Sequence, residues 1–114
     1  MAGRLTTHAH DIVLGHGAGG LKVWVRRISP AEPWLAQAEL DAGGRAVLVQ
    51  GEKFIPGLYE LNFHVGDYHR ARKLVDGEAF LDEVPVRFRV EDAEARCHIA
   101  LSISLYGYST HRGG

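Results

Sequence analysis

The run Cys97-His98-Ile99-Ala100-Leu101-Ser102-Ile103-Ser104-Leu105 carries a large aliphatic residue at every second position from Ile99 onward. A repeat of two puts Ile99, Leu101, Ile103 and Leu105 on one face of an extended strand, and His98, Ala100, Ser102 and Ser104 on the other. The aliphatic face demands burial, so the run predicts a core strand. Directly after it comes Tyr108-Ser109-Thr110-His111-Arg112-Gly113-Gly114, a stretch dense in chemistry-bearing side chains where chain ends normally fray. Its attachment to a buried strand predicts an anchored tail.

The same period recurs in short pieces between turn residues. Gly17-Ala18-Gly19-Gly20 leads into Leu21-Lys22-Val23-Trp24-Val25-Arg26, which alternates as a half-buried strand does. Trp34 to Leu40 and Arg45 to Val49 flank the turn Asp41-Ala42-Gly43-Gly44 and are expected as hairpin neighbours. In Leu58 to Val65 the residues Tyr59, Leu61, Phe63 and Val65 share one face, opposite Glu60, Asn62 and His64. Val84 to Glu91 alternates too, and Pro85, which cannot donate to a ladder, assigns it to an edge or a strand start. One short helix is expected over Tyr68 to Val75, capped by Asp67. Seven to eight short strands with one short helix predict an all-β fold, an antiparallel β-sandwich.

With 114 residues the chain is expected to form a single domain over 1–114, burying roughly two-thirds of its unfolded surface. Thirteen basic and fourteen acidic residues give a formal charge of −1 without a basic cluster, which argues against nucleic acid as a partner. No apolar run approaches the roughly 18 residues of a membrane helix, and no signal segment is visible near Met1, so no membrane association and a cytoplasmic location are expected. The single cysteine, Cys97, excludes an internal disulfide and reads as a small buried hydrophobe.

Seven histidines, at positions 8, 10, 16, 64, 69, 98 and 111, raise the question of a metal. No HExxH or His-x3-His helical pair occurs, and His8-Ala9-His10 alone is weak support for zinc. The expectation is no metal. His8 and His10 would share a strand face, although Arg4 to Asp11 is so sparse in apolar residues that it reads as a poor central strand. His98 lies on a small, polar face and needs company before it can carry chemistry.

That company comes from residue order. Leu5-Thr6-Thr7-His8, Gly44-Arg45, Gly57-Leu58-Tyr59, Gly66-Asp67-Tyr68, Glu83-Val84-Pro85-Val86, the isolated His98, and Gly107-Tyr108-Ser109-Thr110 with Arg112-Gly113 form one ordered set over nearly the whole chain. In these motifs the chain resembles the 5-hydroxyisourate hydrolases, the transthyretin-like proteins of purine breakdown. The resemblance implies a transthyretin-like (prealbumin-like) sandwich, a homotetramer built as a dimer of dimers, and active sites at a subunit interface. It implies a small heterocyclic substrate, no cofactor, and hydrolytic opening of the imide ring of 5-hydroxyisourate.

Carried over by position, the resemblance assigns His8, Arg45, His98 and Arg112 to catalysis. His8 and His98 would position and deprotonate water or shuttle its proton. Arg45 and Arg112 would hold an anionic substrate and stabilise oxyanion charge. The chain departs from the family where that pattern ends Tyr-Arg-Gly-Ser, since it reads His111-Arg112-Gly113-Gly114. His111, Gly114 and the neighbouring Ser109 are therefore candidates for substrate binding or retuning. His10 stands where the family is generally aliphatic, and the loop before Arg45 is longer than usual. Two alternatives stay open: a diverged enzyme acting on another cyclic amide, lactone or heterocycle by hydrolysis, isomerisation or cyclisation, and a non-enzymatic binder of the transthyretin kind.

Overall fold

The computed structural model describes residues 3–113. Along them run β1 (Arg4–Asp11), β2 (His16–Gly17), β3 (Lys22–Ser29), β4 (Glu32–Glu39), β5 (Arg45–Gln50), a 3₁₀ turn at Gly51–Lys53, β6 (Gly57–Phe63), α1 (Val65–Ala71), β7 (Val84–Val90), β8 (Cys97–Ile103) and β9 (Tyr108–Gly113). One sheet has the order β2-β1-β8-β9, with β5 sharing the edge of β1 that β2 also uses; the other has the order β4-β3-β6-β7. The expected sandwich is present. Its pairs are antiparallel except β1 with β8, which run parallel.

Alternation decides what fills the space between the sheets. Leu5 and Ala9 of β1, Val23 and Val25 of β3, Tyr59, Leu61 and Phe63 of β6, and Ile99, Leu101 and Ile103 of β8 are all buried there. Each of the larger side chains contributes about 1.5–3 kcal/mol by leaving water. The Tyr59 ring is fully buried, and its hydroxyl donates to the Ile55 carbonyl at 2.6 Å while accepting from the Ile55 amide at 3.1 Å. Pro85 lies on β7, an edge strand, as its missing donor requires. On the outer face of the second sheet Trp24 and Trp34 remain exposed, Trp34 at 76%.

Three expectations are corrected. β4 and β5 are not a hairpin: β4 pairs with β3 and β5 with β1, so the turn between them carries the chain from one sheet to the other. The helix begins at Val65, three residues earlier than the sequence suggests, with His64 at its N-cap; Asp67 lies inside the first turn, where its carboxylate accepts from Arg70 at 2.6 Å. Finally, β1 is a central strand despite its polarity. Thr7 Oγ1 donates to the Ile99 carbonyl at 2.7 Å, and the buried Asp11 carboxylate accepts from the Tyr68 hydroxyl at 2.7 Å and from the amides of Val13 and Leu14. Buried polar groups that find partners do not disqualify a strand.

Candidate active site

Because Leu5, Thr7, Ala9 and Asp11 face the core, Thr6, His8 and His10 project from the outer face of the first sheet. Ladder registers then determine what stands beside them. Arg45 of β5 lies opposite His8, His8 opposite Ala100 of β8, and Ala100 opposite His111 of β9. The next row runs Val47, Thr6, His98, Gly113. Residues as far apart in sequence as Thr6 and Gly113 thus form two adjacent rows on one face.

Two local devices fix the row ends. Asp41 Oδ1 accepts from the amides of Gly43 and Arg45, at 2.9 and 3.0 Å, and folds the chain back into β5. Gly44 has φ +79°, and a Cβ there would strike the Ala9 carbonyl and the Ala18 amide, so the residue before Arg45 has to be glycine. At the other end a Cβ on Gly113 would overlap the His98 ring. The imidazole lies over that bare backbone.

Within this frame His8 Nδ1 stands 2.6 Å from His98 Nε2, with the rings stacked at 4.8 Å between centroids and 23° between planes. His98 Nδ1 is in turn 2.7 Å from Thr6 Oγ1. His98 is buried at 8% exposure, and His8 is half-buried. The His8–His98 contact holds one hydrogen, so the two rings titrate as a pair. Burial pushes the His8 pKa down, helped by the charges of Arg45, His111 and His10. Burial likewise lowers that of His98, helped by His8, Arg96, Arg45 and His111. An uncharged imidazole pair beside a guanidinium can take a proton from water near neutral pH and face a developing oxyanion.

The structure therefore brings His8, Arg45, His98 and His111 onto one face. Ser109 is on the same face one row further along, opposite Ser102, which is itself opposite His10. Arg112 is not in this group. Its partner across the ladder is the core residue Ile99, and it lines a cavity of about 750 Å³ on the reverse side together with Cys97 and Phe88. Cys97 is half-buried there, its thiol pKa pushed up by burial and partly offset by Arg112. Gly114 lies outside the described residues. Among the described residues no group of three or more His, Cys, Asp or Glu could hold a metal ion.

Sequence reasoning missed Thr6 and Gly113. Thr6 is two residues before His8, so the strand period already placed it on the same face. Gly113 could not be found that way, because its contribution is the absence of a side chain across a strand pairing.

The chain as a whole is similar to known proteins. Residues 5–113 match the model of the HIUase/Transthyretin family. A protein of Rhizobium meliloti (strain 1021) named 5-hydroxyisourate hydrolase 2 is 44% identical over 117 residues, covering 98% of this chain and 97% of its own. The structure of Klebsiella pneumoniae 5-hydroxyisourate hydrolase superposes with TM-score 0.83 at 27% identity, covering 98% of this chain and 99% of that one. An (S)-allantoin synthase crystal structure superposes with TM-score 0.89 at 30% identity over 98% of this chain, which spans only 44% of that longer one.

Proposed function

The chain belongs to the HIUase/Transthyretin family, and from that premise we propose that it is a hydrolase opening the imide ring of 5-hydroxyisourate in purine degradation. The observation that carries the proposal is the 2.6 Å contact between His8 and His98 beside Arg45. His98 has both ring nitrogens engaged, whereas His8 Nε2 has no hydrogen-bond partner among the described residues and is available to a substrate. His8 Nε2 is thus the working atom of the pair.

Water attacks the imide carbonyl carbon as its proton passes to His8 Nε2, forming the C–O bond and placing the carbonyl electron pair on oxygen. Arg45, opposite His8 in the ladder, donates to that oxyanion and to the anionic edge of the substrate. Collapse breaks the C–N bond, and the departing nitrogen takes back the proton held by the pair. The product is a single opened molecule that carries both the new carboxylic acid and the freed ureide nitrogen, with water as the only co-reactant.

The imidazole face is open in a single chain, and β9 and β7 are the outer strands of their sheets on the side away from β5 and β4. These features support a homotetramer, a dimer of dimers in which another subunit closes the cleft over His8. Arg112 enters as a second substrate contact at that boundary, since β9 exposes both its faces there. Among the described residues no helix is long and apolar enough to cross a membrane, and the reaction fits a cytoplasmic setting with purine catabolism.

A second reading is favoured by one residue. His111 ends the row Arg45, His8, Ala100 and adds a titratable ring where the family pattern has tyrosine. Through it the same cleft would serve another cyclic amide or lactone. Freshly generated 5-hydroxyisourate mixed with micromolar protein tests both. Accelerated loss of its near-ultraviolet absorbance supports hydrolysis, whereas turnover that appears only after His111→Tyr and Gly114→Ser are combined points to the diverged substrate.

A further inference from the structure

Thr6 has no place in the mechanism so far, yet its hydroxyl closes the line Thr6 Oγ1, His98 Nδ1, His98 Nε2, His8 Nδ1 through contacts of 2.7 and 2.6 Å. The hydroxyl is buried, and His98 is its hydrogen-bond partner among the described residues. Gly113 lies on the other side of the His98 ring without a Cβ, so the ring is seated between a hydroxyl and a bare strand.

Hydrogens can be ordered in that line in two ways. When the hydroxyl donates to His98 Nδ1, His98 Nε2 carries its hydrogen toward His8 Nδ1, and His8 presents N–H to the site. When the hydroxyl accepts from His98 Nδ1, the order reverses and His8 Nε2 presents a lone pair. After that lone pair takes a proton from water, the charge can spread to His98 as the His8 Nδ1 hydrogen shifts to His98 Nε2. His98 Nδ1 then donates to Thr6 Oγ1. A hydroxyl can serve both orders by rotating about its C–O bond, since it carries one hydrogen and two lone pairs. A methyl group can serve neither.

Resting on the hydrolase reading above, we propose that Thr6 is a positioning residue that holds His98 in line with His8 and accepts the Nδ1 hydrogen of its charged form. It acts through His98 and does not touch the substrate. The charged or titratable groups facing the pair are Arg45 from β5, His10 from β1, Arg96 at the start of β8 and His111 from β9. Each of them disfavours the charged form of the pair, so an oxygen acceptor at Nδ1 matters most when the pair carries a proton.

The test compares wild type, Thr6→Val and Thr6→Ser by turnover of 5-hydroxyisourate across pH and by ¹⁵N NMR of the His98 ring. Thr6→Val is expected to lower kcat by about tenfold or more with KM little changed. Its acid limb should move to lower pH, because the protonated pair loses an acceptor, and the His98 nitrogen shifts should change. Thr6→Ser should restore all three. A folded Thr6→Val protein that keeps wild-type His98 nitrogen shifts and an unmoved pH profile overturns the proposal. If wild type does not hydrolyse 5-hydroxyisourate but Thr6→Val still alters the His98 shifts and Thr6→Ser restores them, the role of Thr6 in seating the ring stands and the substrate assignment fails.

Discussion

His8 Nδ1 and His98 Nε2 are 2.6 Å apart although 90 residues separate them in sequence. The contact exists because β8 runs parallel to β1 and staggers the two histidines by one row, Thr6 facing His98 and His8 facing Ala100. Ala100, opposite His8, carries only a methyl group.

The pH dependence of turnover follows from the charges around this pair. Burial first, then Arg45 and His111, hold both histidines below their ordinary pKa, so the uncharged base form persists to lower pH than a free imidazole would allow. The kcat/KM profile should therefore be flat near neutrality and fall only below about pH 6.5. Replacing His111 with Tyr removes one of the neighbours that lower the pair, and the acid limb should move to higher pH. An unmoved limb would show that His111 does not act on the pair.

Gly113→Ala should displace the His98 ring, because the added methyl occupies the space of that imidazole. Misplacing a reacting group by about an ångström costs on the order of 10²-fold in rate. The expected result is a loss of that order in kcat. A melting temperature near wild type would locate the damage at the site, and circular dichroism with calorimetry checks it.

His69 is a separate pH-sensitive point. It lies in α1 at 0% exposure, and neither ring nitrogen has a hydrogen-bond partner among the described residues. Burial lowers its pKa, with Asp11 partly opposing. The folded state therefore binds a proton less readily than the unfolded chain, so stability is fully present above the unfolded value of about 6.5 and declines as pH falls through it. Melting temperature should drop between pH 7 and pH 5 in wild type and drop less in His69→Phe. Equal slopes would remove His69 from the account.

Tyr68→Phe should lower stability by about 1.5–3 kcal/mol, since it strips a buried carboxylate of a hydrogen bond. The Tyr68 hydroxyl donates to Asp11 at 2.7 Å, and burial together with that carboxylate pushes its pKa up to about 12. Urea denaturation at neutral pH measures the difference, and the phenol should resist ionisation in alkaline absorbance titration while the protein remains folded.

Much of this architecture was readable from alternation. Tyr59, Leu61 and Phe63 show how a period of two assigns faces without further information, and Pro85 marked an edge strand through its missing donor. Strand pairing was less legible. The turn Asp41-Ala42-Gly43-Gly44 looks like a hairpin, but Asp41 Oδ1 and Gly44 turn the chain toward β1 and so bridge the two sheets. The polarity of β1 misled for a related reason: Thr7 finds its partner on β8, and Asp11 finds Tyr68 on α1 besides its local partners Val13 and Leu14. Family motifs singled out His8, Arg45 and His98, which the structure brings onto one face, but the face on which Arg112 leaves β9 depends on its register with Ile99, and the seat made by Thr6 and Gly113 depends on packing.

The central claim is that His8 and His98 act as one base. A double-mutant cycle measures this directly, comparing kcat/KM for 5-hydroxyisourate in wild type, His8→Gln, His98→Gln and the double variant. Groups that work as a unit lose nearly everything when either is removed. The predicted result is that each single variant loses on the order of 10²-fold or more and the double variant loses little beyond that. Losses that multiply in the double variant, or a single variant retaining wild-type activity, would contradict the paired mechanism.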